Sequence, residues 1–168
     1  MIGLVLNNTF RFIALILLQV LVLNNVQLHG TINPQFYILF ILLLPIEIPT
    51  WALLLLSFGL GLSIDFFNDT MGMHAAACTF AGFIRPSVLG ILTPRGGYEN
   101  QPVPRIKELG IKWFATYVTL IIVGHHLLLF YVEVFRWSEF FITFWRALVS
   151  SFFTVILVIL SQYLFARK

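Results

Sequence analysis

Apolar residues run along the chain in long unbroken blocks, separated by short clusters of charged, amide and turn-forming residues. A helix rising about 1.5 Å per residue needs about 20 mostly apolar residues to cross a hydrocarbon core of about 30 Å. Cutting the blocks at charges, prolines and polar clusters predicts spans at residues 11–26, 35–45, 50–65, 73–92, 113–132 and 140–165. The first closes at a polar stretch that includes Asn24, Asn25, Gln27, His29, Gly30, Asn33 and Pro34. Pro45 and Pro49 flank Glu47; neither proline can donate a backbone N–H, so helix is expected to stop there and the chain to turn. Residues 65–72 form a polar turn in which Gly72 suits a left-handed backbone. Residues 93–112 are the one sizeable loop, basic through Arg95, Arg105, Lys107 and Lys112 and broken by Pro94, Pro102 and Pro104.

The spans at 35–45 and 50–65 are shorter than ideal, so a rival reading joins them into one kinked helix and counts five spans. Charge favours six. Cytoplasmic loops collect Lys and Arg, and six spans put Arg11, the basic loop and the Arg167-Lys168 tail on one side. The expectation is an all-α membrane protein, a single compact bundle of about six transmembrane helices with both termini cytoplasmic. Arg11 ahead of an apolar stretch resembles the start of a signal peptide, but no small-x-small cleavage site follows, so the first span is expected to be retained.

Composition agrees with this reading. Apolar residues make up 60% of the chain and charged residues 10%, against about a quarter charged in soluble domains. So few polar side chains could not cover a water-facing surface, and the outside is expected to face lipid. The net charge is +3, yet no helix carries a dense Lys/Arg stripe, which argues against nucleic acid. Cys78 is the single cysteine, excluding an intramolecular disulfide or a C-x-x-C zinc or redox pair.

Ionisable groups inside a bilayer cost a few kcal/mol or more and are usually paired or turned toward other helices. The predicted spans put Asp65, His74, His125, His126 and Arg146 in the outer half of the bundle. They are candidates for a polar cluster centred on an Asp65 to Arg146 ion pair, which would fix the bundle or receive a partner. The plainer alternative is that the longer side chains snorkel to headgroups. Metal binding is disfavoured, because adjacent His125 and His126 diverge by about 100° around a helix axis and no H-E-x-x-H or H-x-x-E-H pattern occurs. Arg85, beside Pro86 near the inner end of its span, is expected to snorkel to the cytoplasmic headgroups. Gly59 and Gly61, with Ala75, Ala76, Ala77, Ala81 and Gly82, are expected to let the third and fourth spans approach closely. There is no phosphate loop and no nucleophile elbow. Ser63, Ser87, Ser150 and Ser151 lack an evident base, so no catalytic residue, cofactor or metal is expected.

The run Gly59-Leu60-Gly61-Leu62-Ser63-Ile64-Asp65, followed by Asn68-Asp69-Thr70-Met71-Gly72-Met73-His74-Ala75, resembles the rod-shape-determining MreD family. Members of that family share a G-L-x-x-D span end, a short polar turn and an L-G-x-H-A opening to the next helix; Met71 stands where the family often has Leu. The likeness extends loosely to the opening span ending in Asn-Asn, the prolines around Glu47, the basic loop and a last span ending in Arg and Lys. It implies a non-catalytic inner-membrane subunit of the machinery that builds the lateral peptidoglycan wall. The partners implied are an MreC-like bitopic shape protein and, through it, an actin-like filament protein, the glycan polymerase RodA and a class B transpeptidase. The family is also similar in fold to the substrate-binding subunits of energy-coupling-factor vitamin transporters, so a transport subunit is the alternative. The resemblance brings no catalytic role to Asp65 or His74.

Overall fold

A computed structural model describes residues 2–25, 33–98 and 102–166, and every regular element among them is helical. The long helices are α1 (Ile2–Leu21), α3 (Thr50–Asn68), α4 (Met73–Ile91), α6 (Ile111–Val134) and α7 (Phe140–Ala166). Two single-turn helices, α2 (Leu39–Leu42) and α5 (Ile106–Leu109), lie between them. Among the described residues four stretches are long and apolar enough to cross a membrane: Leu6–Asn25, Thr50–Asn68, Ile111–Val134 and Phe140–Leu164. Helix α4 is as long but falls outside that group by composition, since His74, Thr79, Arg85, Pro86 and Ser87 lower its hydropathy; it packs on both α3 and α6. Its buried side chains, among them His74, Cys78 and Arg85, meet protein rather than lipid.

The predicted boundaries of the long spans hold to within a few residues, with two differences. Helix α1 begins well before Arg11, which lies inside it and not at its start. Helix α3 continues past Asp65 to Asn68, so Asp65 occupies its last turn. Residues Gln27, His29 and Gly30 of the first polar stretch, and the Arg167-Lys168 tail, lie outside the described residues.

The segment at 35–45 departs most from expectation. It holds a 3-10 turn, Phe36–Ile38, running directly into α2, and no full span. Seven residues of helix rise only about 10 Å. Pro34 precedes them and Pro45 follows, which limits the helix at both ends. Tyr37, Ile38, Ile41 and Leu42 are completely buried, so the segment is enclosed by the other helices. It passes through the bundle in the sense opposite to α1 and α3. Its start meets α7 near Ser150 and Thr154, and its end reaches Arg85 and the loop at Pro102.

Helices α3 and α4 approach with backbone against backbone. A Cβ on Gly61 would overlap the His74 carbonyl oxygen and sit 2.5 Å from the Ala75 Cα, and one on Gly82 would sit 2.5 Å from Ser57 Oγ. Gly59 has open space around it, so the pair Gly59-x-Gly61 divides: only Gly61 is needed for the contact. Gly72 has φ +84°, the left-handed backbone expected of the turn, and Asp69 has φ 52° beside it. Gly61→Ala is expected to destabilise the protein by about 1–3 kcal/mol, since backbone is the obstacle, while Gly59→Ala stays within about 1 kcal/mol of wild type. Thermal unfolding in mild detergent measures both, and equal melting temperatures would contradict this packing.

Candidate functional site: a buried polar framework around the interrupted segment

The α3–α4 corner is built on one carboxylate. Asp65 accepts the backbone N–H of His74 at 3.0 Å and of Ala75 at 2.8 Å, and Thr70 Oγ1 donates to it as well. The first amides of a helix lack intrahelical acceptors and attract negative charge. Gly72 at the N-cap has no side chain to offer, so the preceding helix supplies the cap. Asp65 is almost completely buried.

This arrangement corrects the expected Asp65 to Arg146 ion pair. Arg146 lies 4.0 Å from Glu133 and 5.1 Å over the Phe130 ring, at the α6–α7 contact. Depth along the spans placed the two residues in the same outer half, but they face different helix pairs.

Two other expected residues meet through a third that the sequence reading had not singled out. The Tyr37 hydroxyl is 2.7 Å from His74 Nδ1 and 3.3 Å from His125 Nε2. A hydroxyl has one hydrogen, so it can donate to only one of these rings and must accept from the other. Cys78 Sγ lies 3.8 Å from the same His125 nitrogen, and His125 Nδ1 is buried without a partner. His126 turns away, as adjacent positions on a helix require. Its Nδ1 donates to the Ile122 carbonyl at 2.9 Å, and its Nε2 lies 3.2 Å from Thr154 Oγ1 on α7. Among the described residues no three His, Cys, Asp or Glu side chains come together as metal ligands would.

The framework is explained by the backbone of the interrupted segment. Its leading N–H groups have no helical acceptors, and all three that open it find side chains: Asn33 donates to Ser150 Oγ at 3.3 Å, Gln35 to Thr154 Oγ1 at 3.1 Å and Phe36 to Gln19 Oε1 at 2.8 Å. Gln19 Nε2 returns a bond to the Pro34 carbonyl at 3.1 Å, so one amide clamps two residues of backbone. The same Nε2 is 3.0 Å from Asn24 Oδ1, and Asn24 donates to Asn68 at 2.7 Å, tying α1 to the end of α3.

At the other end the trailing carbonyls are met in the same way. Tyr117 donates to Leu42 O at 2.9 Å and Arg11 to Leu43 O at 3.1 Å. Arg85 donates to Leu44 O, to Pro45 O at 3.3 Å and to the Tyr117 hydroxyl at 2.9 Å. Arg85 is 1% exposed, which corrects the expectation that it reaches the headgroups. No carboxylate pairs with it among the described residues, and carbonyl dipoles serve in place of a counter-ion. The planar fork of a guanidinium suits this, since it directs several donors at fixed angles.

Beside the start of the segment lies a cavity of about 280 Å³, lined by Asn24, Asn33, Gln35, Asn68, His74 and Glu133 among others. Gln35 Oε1 is buried there and unpartnered. The arrangement orders backbone and leaves this amide oxygen and His125 Nδ1 with unused hydrogen-bonding capacity.

Gln19, Tyr37, Arg85, Tyr117, Ser150 and Thr154 were not among the expected site residues. Their signal was a polar side chain inside an apolar block, which is a signal whether or not it is ionisable. No protein-family model, curated protein or solved structure matches the chain.

Arg85→Met keeps the volume but orphans two buried carbonyls, and is expected to cost about 2–5 kcal/mol. Arg146→Met, at a half-exposed pair, is expected to cost under about 1 kcal/mol. Unfolding of both in detergent would contradict the assigned anchoring if they melted alike. Asp65→Leu removes the α4 cap and is expected to cost about 1–3 kcal/mol, read as a lower melting temperature that Asp65→Asn restores in part.

Proposed function

We propose that this chain is a non-catalytic scaffold subunit of the bacterial cell-elongation machinery, related to the MreD family and resident in the inner membrane. The carrying observation is where the residues of the 59–75 motif stand. Gly61 admits the backbone of α4, Gly72 turns the chain, and Asp65 caps α4 through His74 and Ala75. A motif devoted to one helix corner suits a part that must keep its shape.

In this reading the chain crosses the membrane six times, the second time as the interrupted segment, and both termini are cytoplasmic. Successive passes alternate in direction through the contacts described above. Arg11, Arg95, Arg105, Lys107 and Lys112 lie toward one end with Glu47 and Glu108, and Asp65, Asp69, Glu133 and Glu139 toward the other, where the cations are Arg136 and Arg146. That asymmetry is what the positive-inside rule asks of a cytoplasmic face. The partners are an MreC-like bitopic shape protein and, through it, the actin-like filament protein, RodA and a class B transpeptidase. Large apolar side chains exposed on α3 and α7, such as Trp51, Leu55, Phe141 and Trp145, offer surface to lipid and to partner helices alike.

A specific observation favours the second reading, a substrate-binding subunit of a vitamin or small-molecule transporter. The cavity at Gln35 is close to the lower size of small-molecule sites, about 300 Å³, and has a free acceptor in its wall. Depletion from a rod-shaped host separates the two. Rounded cells, restored by the wild-type gene, and co-purification with a bitopic coiled-coil protein are expected of the scaffold. Persistent rods, with a vitamin-sized ligand retained by the purified protein and lost in Gln35→Leu, would replace it with transport.

A further inference from the structure

Helix α1 packs on α3 and on the interrupted segment, and α7 packs on α6. Between α1 and the inner part of α7 a groove of about 650 Å³ is left open, with Gln162 of α7 on one side. Its floor is Phe36, Leu39 and Leu43 of the interrupted segment, and Phe10, Leu15 and Leu18 of α1 form a wall. Phe10 and Leu18 are exposed.

The groove is not apolar throughout. Arg11, Arg105 and Lys107 gather at its inner end, with Glu108 the one acid beside them. The ion pairs among the described residues are Arg136–Glu139 and Arg146–Glu133, so among these residues Arg11, Arg105 and Lys107 form no ion pair. Arg11 is held toward the groove by Asn8 Oδ1 at 3.2 Å and Leu43 O at 3.1 Å. An apolar slot ending in three cations against one acid is complementary to a molecule with the reverse distribution: a hydrocarbon chain ending in an anion.

We propose that this groove is a binding site for an anionic phospholipid, one acyl chain lying along Leu18, Leu39 and Leu43 and the phosphate held among Arg11, Arg105 and Lys107. The volume favours a lipid chain over a partner helix. A spanning helix about 30 Å long and 10 Å wide occupies roughly 2,000 Å³, several times the space present, and nothing about a helix calls for the cations. Basic pockets between membrane helices on the cytoplasmic side recruit anionic headgroups on general electrostatic grounds. The site does not depend on the cell-elongation reading, since a transport subunit with this groove would bind the same lipid.

Native mass spectrometry of the purified full chain, with phosphatidylglycerol or phosphatidylcholine added to the detergent, tests the site. Wild type should retain phosphatidylglycerol preferentially. Arg105→Gln/Lys107→Gln changes exposed positions outside the long helices, so folding should be unaffected; it should lower that preference by about tenfold. Arg95→Gln/Lys112→Gln, which removes two nearby cations that do not line the groove, should leave it intact. Glycerol phosphate, which has the headgroup anion and no chain, should not displace the lipid. Equal retention of the two lipids by wild type, an unchanged preference in Arg105→Gln/Lys107→Gln, an equal loss in the control pair, or displacement by glycerol phosphate would each overturn the proposal.

Discussion

The backbone polar groups of residues 33–45 are the constraint around which the other helices are arranged. A continuous helix satisfies its own amides and carbonyls and can face lipid; a helix of two turns cannot, because most of its groups belong to one end or the other. Each such group left unpaired in a low-dielectric core costs a few kcal/mol. The chain meets this cost with side chains from four helices. Gln19, Ser150 and Thr154 accept at the start of the segment. Tyr117, Arg11 and Arg85 donate at its end. These bonds are directional, so they also set where α1, α4, α6 and α7 stand relative to one another, which apolar packing alone would define less sharply.

Length and apolar content made the long helices legible. Blocks bounded by Thr50, Met73, Trp113 and Phe140 became helices starting within two residues of those positions. The same signal misled at 35–45, because Tyr37 to Leu44 are apolar whether they meet lipid or the inside of a bundle. What distinguishes the two is the backbone, and the proline spacing from Pro34 to Pro45 was the trace of it: too little chain for a span, and so a segment that other helices must enclose. Depth was legible and azimuth was not. Asp65 and Arg146 were both placed in the outer half, yet one faces the amides of α4 and the other the α6–α7 seam. Arg85 shows the limit of reasoning from depth most clearly. An arginine near a helix end can reach headgroups or turn inward, and the residues that turn it inward, Tyr117 and the Leu44 carbonyl, are distant in sequence.

Chemistry in the core follows from the same division of labour. His74 and His125 share the Tyr37 hydroxyl, a side chain of the interrupted segment. His126 reaches Thr154, which also holds the Gln35 amide. The imidazoles that looked like a candidate cluster are therefore joined to the segment at two points and do not converge on a shared ion. Polar residues in a membrane bundle are commonly read as sites of transport or catalysis. Here their bonds are accounted for mainly by backbone that needs partners, and what is left over among the described residues, Gln35 Oε1, His125 Nδ1, Ser57 Oγ and Arg146 Nε, is small by comparison.

The short segment also explains why the bundle has concavities at both ends. A full-length second helix would run the whole depth between α1 and α7 and fill the space beside it. Seven residues of helix cover about a third of that depth, so the space at either end is left to other groups. Where the segment begins, Pro34 and Gln35 border the polar cavity with Asn24, Asn68 and His74. Farther along, Phe36, Leu39 and Leu43 become the floor of the apolar groove ending in Arg11, Arg105 and Lys107. The two recesses differ in character because the termini they border differ. The start of the segment presents amides that call for polar neighbours, whereas its flank presents only hydrocarbon, next to the stretch that carries Arg105 and Lys107. One interruption in the helical pattern thus creates both the need for the buried framework and the two surfaces where another molecule can fit.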